Sequence, residues 1–393
     1  MIDRFKLYLA GRHHHHHQVR AVDTHHHQNV STTRAVVHMG IHKTGTTSIQ
    51  FLSSDLQNDL KKDGYEMPWI VNKNFRMGDS EKIMHHFAPQ VHFSSCFVPL
   101  DNIERQINPC VPELLLSGLE IAKSKKHLFV SAESFSGIDE DGLGALSTYL
   151  SNWKDIYIII YYRRYYDWLI SNYNQQIKGR SLAELPKWEF SICDKIRNEQ
   201  KQGIDPGYVS ELLRRVKNYF NESVLILKNF HDVCGGKTLE EIFYCEALPN
   251  APNTCDSVKS MSNPIKNSAK ELVFDDLTYG AKKAGLIDIE TDEEMKVLSS
   301  AVKLFQEKSL GLTSRDFDMT CLSPALTEWL FETSANIEKS LFPDFFNMTT
   351  FKAAFYEKSF HKLCHIDINA TLMKEEWKQF FRNQSKSPAT DIN

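Results

Sequence analysis

No stretch of the 393 residues approaches the roughly 20 consecutive apolar residues that a membrane-spanning helix needs. The apolar run near the start, FKLYLA, is too short for a signal-peptide core. As written, the chain reads as soluble with no membrane span. None of the eight cysteines (Cys96, Cys110, Cys193, Cys234, Cys245, Cys255, Cys321 and Cys364) forms a CxxC pair, which argues against a zinc site or a thioredoxin-like redox motif. Cys193, Cys245 and Cys364 lie among apolar residues and read as buried free thiols, with disulfides left open. Charge of one sign is scarce as well. A net charge of -4 leaves no broadly basic surface for nucleic acid, so any phosphate chemistry must be local. No internal repeat is visible.

What is present is an ordinary globular composition, 41% hydrophobic and 24% charged, in a chain long enough to bury a large core. Residues 1–34, with His13 to His17 and His25 to His27, read as a disordered His-rich tail, native or added for purification, to which no metal role is assigned. The main α/β domain is expected over 35–345, followed by a C-terminal extension, 346–393. N-x-S/T sequons open at Asn29, Asn221, Asn347, Asn369 and Asn383, a number that an Asn-rich chain yields by chance.

The run RAVVHMG predicts a strand, and the segment after it repeats Ile49, Leu52, Leu56 and Leu60 at helical spacing up to Gly64. YEMPW follows as a short strand, and the proline-containing stretch 70–110 reads as irregular. Helix, strand and helix then succeed one another in ELLLSGLEIAKS, KHLFVSAES and DEDGLGALSTYLSNW. DIYIIIYYRR is the strongest strand, nearly continuous in β-branched and aromatic residues, and is expected at the sheet centre. A helix, YYDWLISNYNQQIKG, comes next, then a strand, SVLILKNF, and mostly helical sequence over 265–340. This alternation predicts a three-layer, doubly wound parallel sheet with helical C-terminal additions and ligands at the strand C-termini.

Between the first strand and its helix stands HMGIHKTGTTSIQ. A glycine-containing turn from a strand into a helix is where backbone N–H groups cradle phosphate. Gly45 lets the backbone approach an anion, Thr46 and Thr47 offer hydroxyls, and Lys43 places positive charge on a bridging oxygen. A nucleoside-triphosphate loop carries its lysine directly after the last glycine, where this chain has Thr46; its lysine lies two residues before the glycine.

With that displaced lysine, the loop resembles the 5′-phosphosulfate loop of the sulfotransferases that use 3′-phosphoadenosine 5′-phosphosulfate (PAPS), whose pattern is Pro-Lys-[Ser/Thr]-Gly-Thr-Thr; His42 stands in place of the proline. The resemblance covers roughly residues 35–250 and is similar to the carbohydrate-type and bacterial members. It implies a P-loop-type, Rossmann-like fold and a donor site made of Lys43, Thr44, Gly45, Thr46, Thr47 and Ser48. It also implies an Arg ending a later strand and a Ser eight residues on, gripping the donor's 3′-phosphate; Arg163 and Ser171 have that spacing. The implied activity moves a sulfuryl group from PAPS to a hydroxyl or amine of an acceptor, with carbohydrate among the candidates, and requires no metal.

In-line attack at sulfur needs a cation on the leaving oxygen and a base on the acceptor. Lys43 is the expected cation. Glu133, ending the strand between the two donor motifs, is the expected base, with Ser131 on the same strand face reaching the donor sulfonate. His38, His85, His86 and His92 compete as bases, although His38, inside the first strand, reads as a packed core residue. Two other functions fit less well: an ATP-dependent P-loop kinase, which would need a lysine after Gly45 and an acidic strand end, and a nucleotide-binding module of the same fold without turnover. The acceptor pocket is expected from 65–110 and the helical C-terminal part. Either the cytoplasm or, with an anchor missing from this chain, the Golgi lumen suits the reading; oligomeric state is not indicated.

Overall fold

The structure is a computed structural model that describes residues 32–41, 44–68, 88–99, 110–178, 182, 191–204, 208–220, 224–230, 237–261, 273–311 and 317–384. The His-rich tail therefore lies, apart from its last residues, outside the described residues, as do Lys43, His42, His85 and His86. In chain order the elements are β1 (Arg34–Met39), α1 (Thr46–Asp55), α2 (Gln57–Lys62), β2 (Tyr65–Glu66), α3 (Ala88–Ser94), α4 (Pro112–Lys123), β3 (His127–Ala132), α5 (Glu140–Leu150) and β4 (Asp155–Tyr162). They continue with α6 (Tyr165–Lys178), α7 (Ile192–Gln202), α8 (Val209–Tyr219), β5 (Val224–Asn229), α9 (Leu239–Ile242), α10 (Pro252–Ser260), α11 (Val273–Lys283) and α12 (Asp292–Leu304). β6 (Met319–Thr320), α13 (Pro324–Leu341), α14 (Met348–Ala353), β7 (His365–Ile366), α15 (Ile368–Met373) and α16 (Glu375–Gln384) complete the order.

The chain divides into two compact units, Met1–Arg164 with Asp205–Lys266 and Tyr165–Ile204 with Asn267–Asn393. The first holds a five-stranded, all-parallel sheet in the order β2-β3-β1-β4-β5. β1 is the middle strand, so the strongest apolar strand, β4, stands beside the centre and not at it. The reason is physical: an unbroken apolar run reports burial on both faces, and β4, with β1 and β5 on its two edges, has the same surroundings as a middle strand. Along the strands both alternating sets are buried, Val36, Phe129, Ile159, Tyr161 and Ile226 in one and Val37, Met39, Val130, Ile158, Ile160 and Leu227 in the other. The first set packs with Ile49 and Leu52 of α1, Leu60 of α2 and Leu56 between them, and with Phe243 and Tyr244 after α9.

The single helix expected up to Gly64 is instead two, parted at Leu56 (φ -88°, ψ 9°). Its apolar spacing runs straight across that break, which is why periodicity alone did not reveal it. Gly64 does end the second helix, at φ +84°. α10 starts on a tertiary cap: Asp63 accepts from the backbone N–H groups of Asn253 and Thr254 at 3.1 and 2.8 Å and from Thr254 Oγ1 at 2.6 Å.

The second unit is helical, with a two-stranded antiparallel ribbon of β6 and β7. One core gathers Phe274, Leu277, Val302, Phe317, Trp377 and Phe381. Helix starts carry the expected chemistry: Thr291 and Glu294 form a capping box at α12, and Ser323 caps α13 ahead of Pro324.

The cysteine expectation needs correcting. Cys96–Cys110, Cys245–Cys255 and Cys321–Cys364 are disulfides, so Cys245 and Cys364 are not free thiols. Apolar neighbours mark burial equally for a thiol and for a half-cystine, and only the fold shows which Cα atoms meet. Cys193 is a buried free thiol, as expected, its Sγ 3.4 Å from Nδ1 of His365, and burial pushes its pKa up to about 11. Among the described residues no helix is long and apolar enough to cross a membrane.

Candidate active site

β2 and β3 lie on one side of β1 and β4 and β5 on the other, so the connections leaving the C-terminal ends of β1 and β3 diverge around the middle of the sheet. Such a switch point opens a crevice at the strand ends. The loop after β1 occupies it. Gly40 N–H donates to Ala132 O at 3.0 Å, joining the start of the loop to the end of β3. Thr44, fully buried, closes a turn by donating to Ile41 O from its backbone N–H at 3.2 Å and from Oγ1 at 2.7 Å. Its hydroxyl thus serves the loop itself.

Gly45 precedes α1 in the left-handed region, at φ +80° and ψ 14°. A Cβ there would lie 2.1 Å from Cδ2 of Leu239 and 3.6 Å from the Phe230 ring, so the position is strained and closed to a side chain. Among the described residues no side chain caps α1, and no acidic residue lies in its first turn. Thr46 is buried and its Oγ1 has no hydrogen-bond partner among the described residues. That hydroxyl packs so close to Gly40 that a Cβ on Gly40 would stand 2.3 Å from it. Thr47 is exposed. Ser48 is buried and donates its hydroxyl to Oε1 of Glu240, in the first turn of α9, which leaves Ser48 its backbone N–H for a ligand.

Glu133 is half-buried and follows β3 directly, but it opens a short 3₁₀ turn, Glu133–Gly137, in place of extending the strand. Ser131 consequently does not share a working face with it. Ser131 is fully buried, with Oγ 2.8 Å from Nδ1 of His38, its N–H donating to Gln90 Oε1 at 2.6 Å and its C=O accepting from Gln50 Nε2 at 2.6 Å. Two glutamine side chains thus pair the edge of β3 beyond the reach of two-residue β2. His38 is a core residue: burial lowers its pKa to about 3 and keeps the ring neutral between Tyr161 and Phe243. His92 is buried too.

Arg163 follows the last residue of β4. Its carbonyl accepts from the Tyr208 hydroxyl at 2.8 Å, and its guanidinium carbon lies 5.1 Å from the centroid of the Phe230 ring. Phe230 N–H in turn donates to Tyr162 O at 2.7 Å. One ring therefore lies between Gly45 of the loop and Arg163, the residue after β4. The division between the units falls after Arg164, so Arg163 belongs to the first and Ser171, half-buried in α6, to the second.

The structure thus gathers Thr44 to Ser48, Glu133 and Arg163 at the C-terminal ends of three adjacent strands. Sequence reasoning missed Phe230, Glu240 and Leu239, which carry no motif; the nearest clue to Phe230 was its place at the end of SVLILKNF. A groove of about 510 Å³ lies elsewhere, beside β2, lined by Gln57, Lys61, Tyr65 and Glu120 among others and by none of the loop residues, so its volume does not mark this site. Among the described residues no three His, Cys, Asp or Glu side chains are grouped as a metal site.

No family model matches the chain, nor does any curated protein or solved structure.

Proposed function

We propose that the protein is a PAPS-dependent sulfotransferase, built as a three-layer, doubly wound P-loop-type fold. The observation that carries this reading is the start of α1: a left-handed Gly45 and, among the described residues, no side-chain cap, no acidic residue in the first turn and no hydrogen-bond partner for the buried Thr46 hydroxyl. A buried hydroxyl left unsatisfied costs about 1–3 kcal/mol. A phosphate oxygen at the helix N-terminus would satisfy both the hydroxyl and the first-turn N–H groups. Burial of both alternating residue sets in the sheet supports helical layers on both faces.

In this reading the 5′-phosphosulfate lies against Gly45 to Ser48, with Lys43 on the oxygen that bridges phosphorus and sulfur. Arg163 pairs with the 3′-phosphate, its planar fork suited to two parallel charge-assisted hydrogen bonds. The role of Ser171 rests on its eight-residue spacing from Arg163. The acceptor oxygen or nitrogen attacks sulfur, the bond from sulfur to the bridging oxygen breaks, and Glu133 takes the acceptor's proton. 3′-Phosphoadenosine 5′-phosphate departs, its new charge met by Lys43 and the positive end of α1. A half-buried carboxylate directly after β3, at the same sheet end as the loop, is suited to act as that general base.

Calorimetric titration with 3′-phosphoadenosine 5′-phosphate, compared with ATP and Mg²⁺, tests the reading. Tight binding of the bisphosphate that is lost in Arg163→Ala and Lys43→Ala is the expected result. Preference for ATP would replace the sulfotransferase with a kinase.

A further inference from the structure

Three of the sequon asparagines, Asn347, Asn369 and Asn383, fall on described residues of the second unit, and all are exposed. They differ in their surroundings. Asn369 lies within α15 and its sequon threonine, Thr371, is fully buried. The third residue of the Asn383 sequon, Ser385, lies outside the described residues. Asn347 stands on extended backbone, φ -124° and ψ 112°, between the turn at 343–345 and the first residue of α14, and its Thr349 is exposed.

Asn347 also caps α14, since Oδ1 accepts from the backbone N–H of Thr350 at 2.9 Å. This cap uses the amide oxygen, whereas N-linked glycosylation uses the amide nitrogen, so a glycan and the cap are compatible. On either side of Asn347 in sequence, Phe345 and Met348 are each 50% exposed. Apolar side chains exposed within two residues of Asn347 lie within reach of the first sugars of a glycan there.

A separate observation concerns the compartment. Six of the cysteines are joined in three intramolecular disulfides, spread over both units. Disulfides of this kind form and persist in oxidising compartments, where sequons also meet their modifying enzyme.

We propose that the chain folds in an oxidising secretory compartment and is N-glycosylated at Asn347, and that the first sugars cover Phe345 and Met348. The co-substrate is an oligosaccharide linked to a polyprenyl diphosphate. A bond forms between Asn347 Nδ2 and the anomeric carbon, the bond from that carbon to the diphosphate oxygen breaks, and Nδ2 gives up one proton as the lipid diphosphate leaves.

The test uses the full chain isolated from its own cells. After peptide N-glycosidase treatment in heavy-oxygen water, the peptide spanning 347 should carry a labelled Asp in place of Asn. Asn347→Asp, which keeps the cap, and Thr349→Ala, which keeps the asparagine, should each remove the glycosidase-sensitive gel shift that belongs to this site. Recovery of the Asn347 peptide chiefly unmodified overturns the proposal, including when Asn369 or Asn383 is glycosylated instead. Alkylation of Cys96, Cys245 or Cys321 in the unfolded protein before any reduction would overturn it as well.

Discussion

The guanidinium of Arg163 lies over the ring of Phe230, 5.1 Å from its centroid, and the same ring edge approaches Gly45 of the β1–α1 loop. An aromatic residue after an edge strand thereby links the β1–α1 loop to the residue that follows β4. A cation over an aromatic face gains roughly 0.5–1 kcal/mol at a partly exposed site. Phe230→Leu should therefore weaken binding of 3′-phosphoadenosine 5′-phosphate about two- to fivefold, well short of the loss in Arg163→Ala. Calorimetry on both variants checks this, and equal losses would mean that Phe230 shapes the loop and does not merely hold Arg163.

Gly45→Ala should damage stability and ligand binding together. The left-handed backbone costs a non-glycine residue about 1 kcal/mol or more, and the new Cβ would displace Leu239 at the start of α9. Urea unfolding is expected to show a loss of about 1–3 kcal/mol. Leu239→Ala in the same chain should recover the steric part and leave the backbone part, so unchanged stability on adding it would refute the contact.

Glu133→Gln separates binding from chemistry. The amide fits the same space at the head of the 3₁₀ turn but cannot take a proton, so bisphosphate affinity should stay near wild type while turnover falls about 10²-fold or more. Stopped assays with labelled donor give the rate. A parallel loss of affinity would move Glu133 from base to structural residue.

Asp63→Ala removes the acceptor shared by two backbone N–H groups and the Thr254 hydroxyl at the start of α10. Loss of a helix cap costs about 0.5–2 kcal/mol. Asp63→Asn, which keeps one acceptor oxygen, should lose less. Chemical denaturation of the two variants measures the difference, and because Asp63 lies away from the loop, donor affinity should not change in either.

The strands of the parallel sheet were legible because buried strands write continuous apolar runs, and α1 because Gly45 and the 3.6-residue spacing agree. Loop residues Gly45 to Ser48 could be singled out from their place between a strand and a helix, whereas Arg163 and Glu133 are singled out through the family resemblance; the parallel sheet brings all of them to strand C-terminal ends. What stayed hidden depends on distant parts of the chain. Ser48 meets Glu240 across 192 positions and Ser131 meets His38 across 93, and no local pattern announces such partners. Ser131 shows the cost of extrapolating periodicity: alternation put it beside Glu133, but the strand ends at Ala132 and its hydroxyl turns to the core. The disulfides were hidden for a related reason, since Cys321 and Cys364 are brought together by the β6–β7 ribbon, 43 residues apart.

His38 should make the protein acid-sensitive. Burial lowers its pKa from 6.5 to about 3, so the unfolded chain binds a proton that the folded chain refuses. The sign follows from that difference: stability is fully present above pH 6.5 and falls as pH drops from there toward 3. Between pH 7 and pH 5 the loss from this one group amounts to about 2 kcal/mol. The groups facing His38, the Ser131 hydroxyl, the Tyr161 ring and the Phe243 ring, supply no negative charge to hold a proton on it. His38→Gln can keep the hydrogen bond to Ser131 and cannot titrate, so its stability should fall less steeply over this interval by about the same amount. His127 and His365, whose pKa values are also lowered mainly by burial, contribute equally to both proteins and cancel in the difference. Urea midpoints at pH 7, 6 and 5 for the two proteins decide the matter. Parallel curves would mean that His38 accepts its proton in the folded state, and that water or an acidic group reaches the ring beneath the loop.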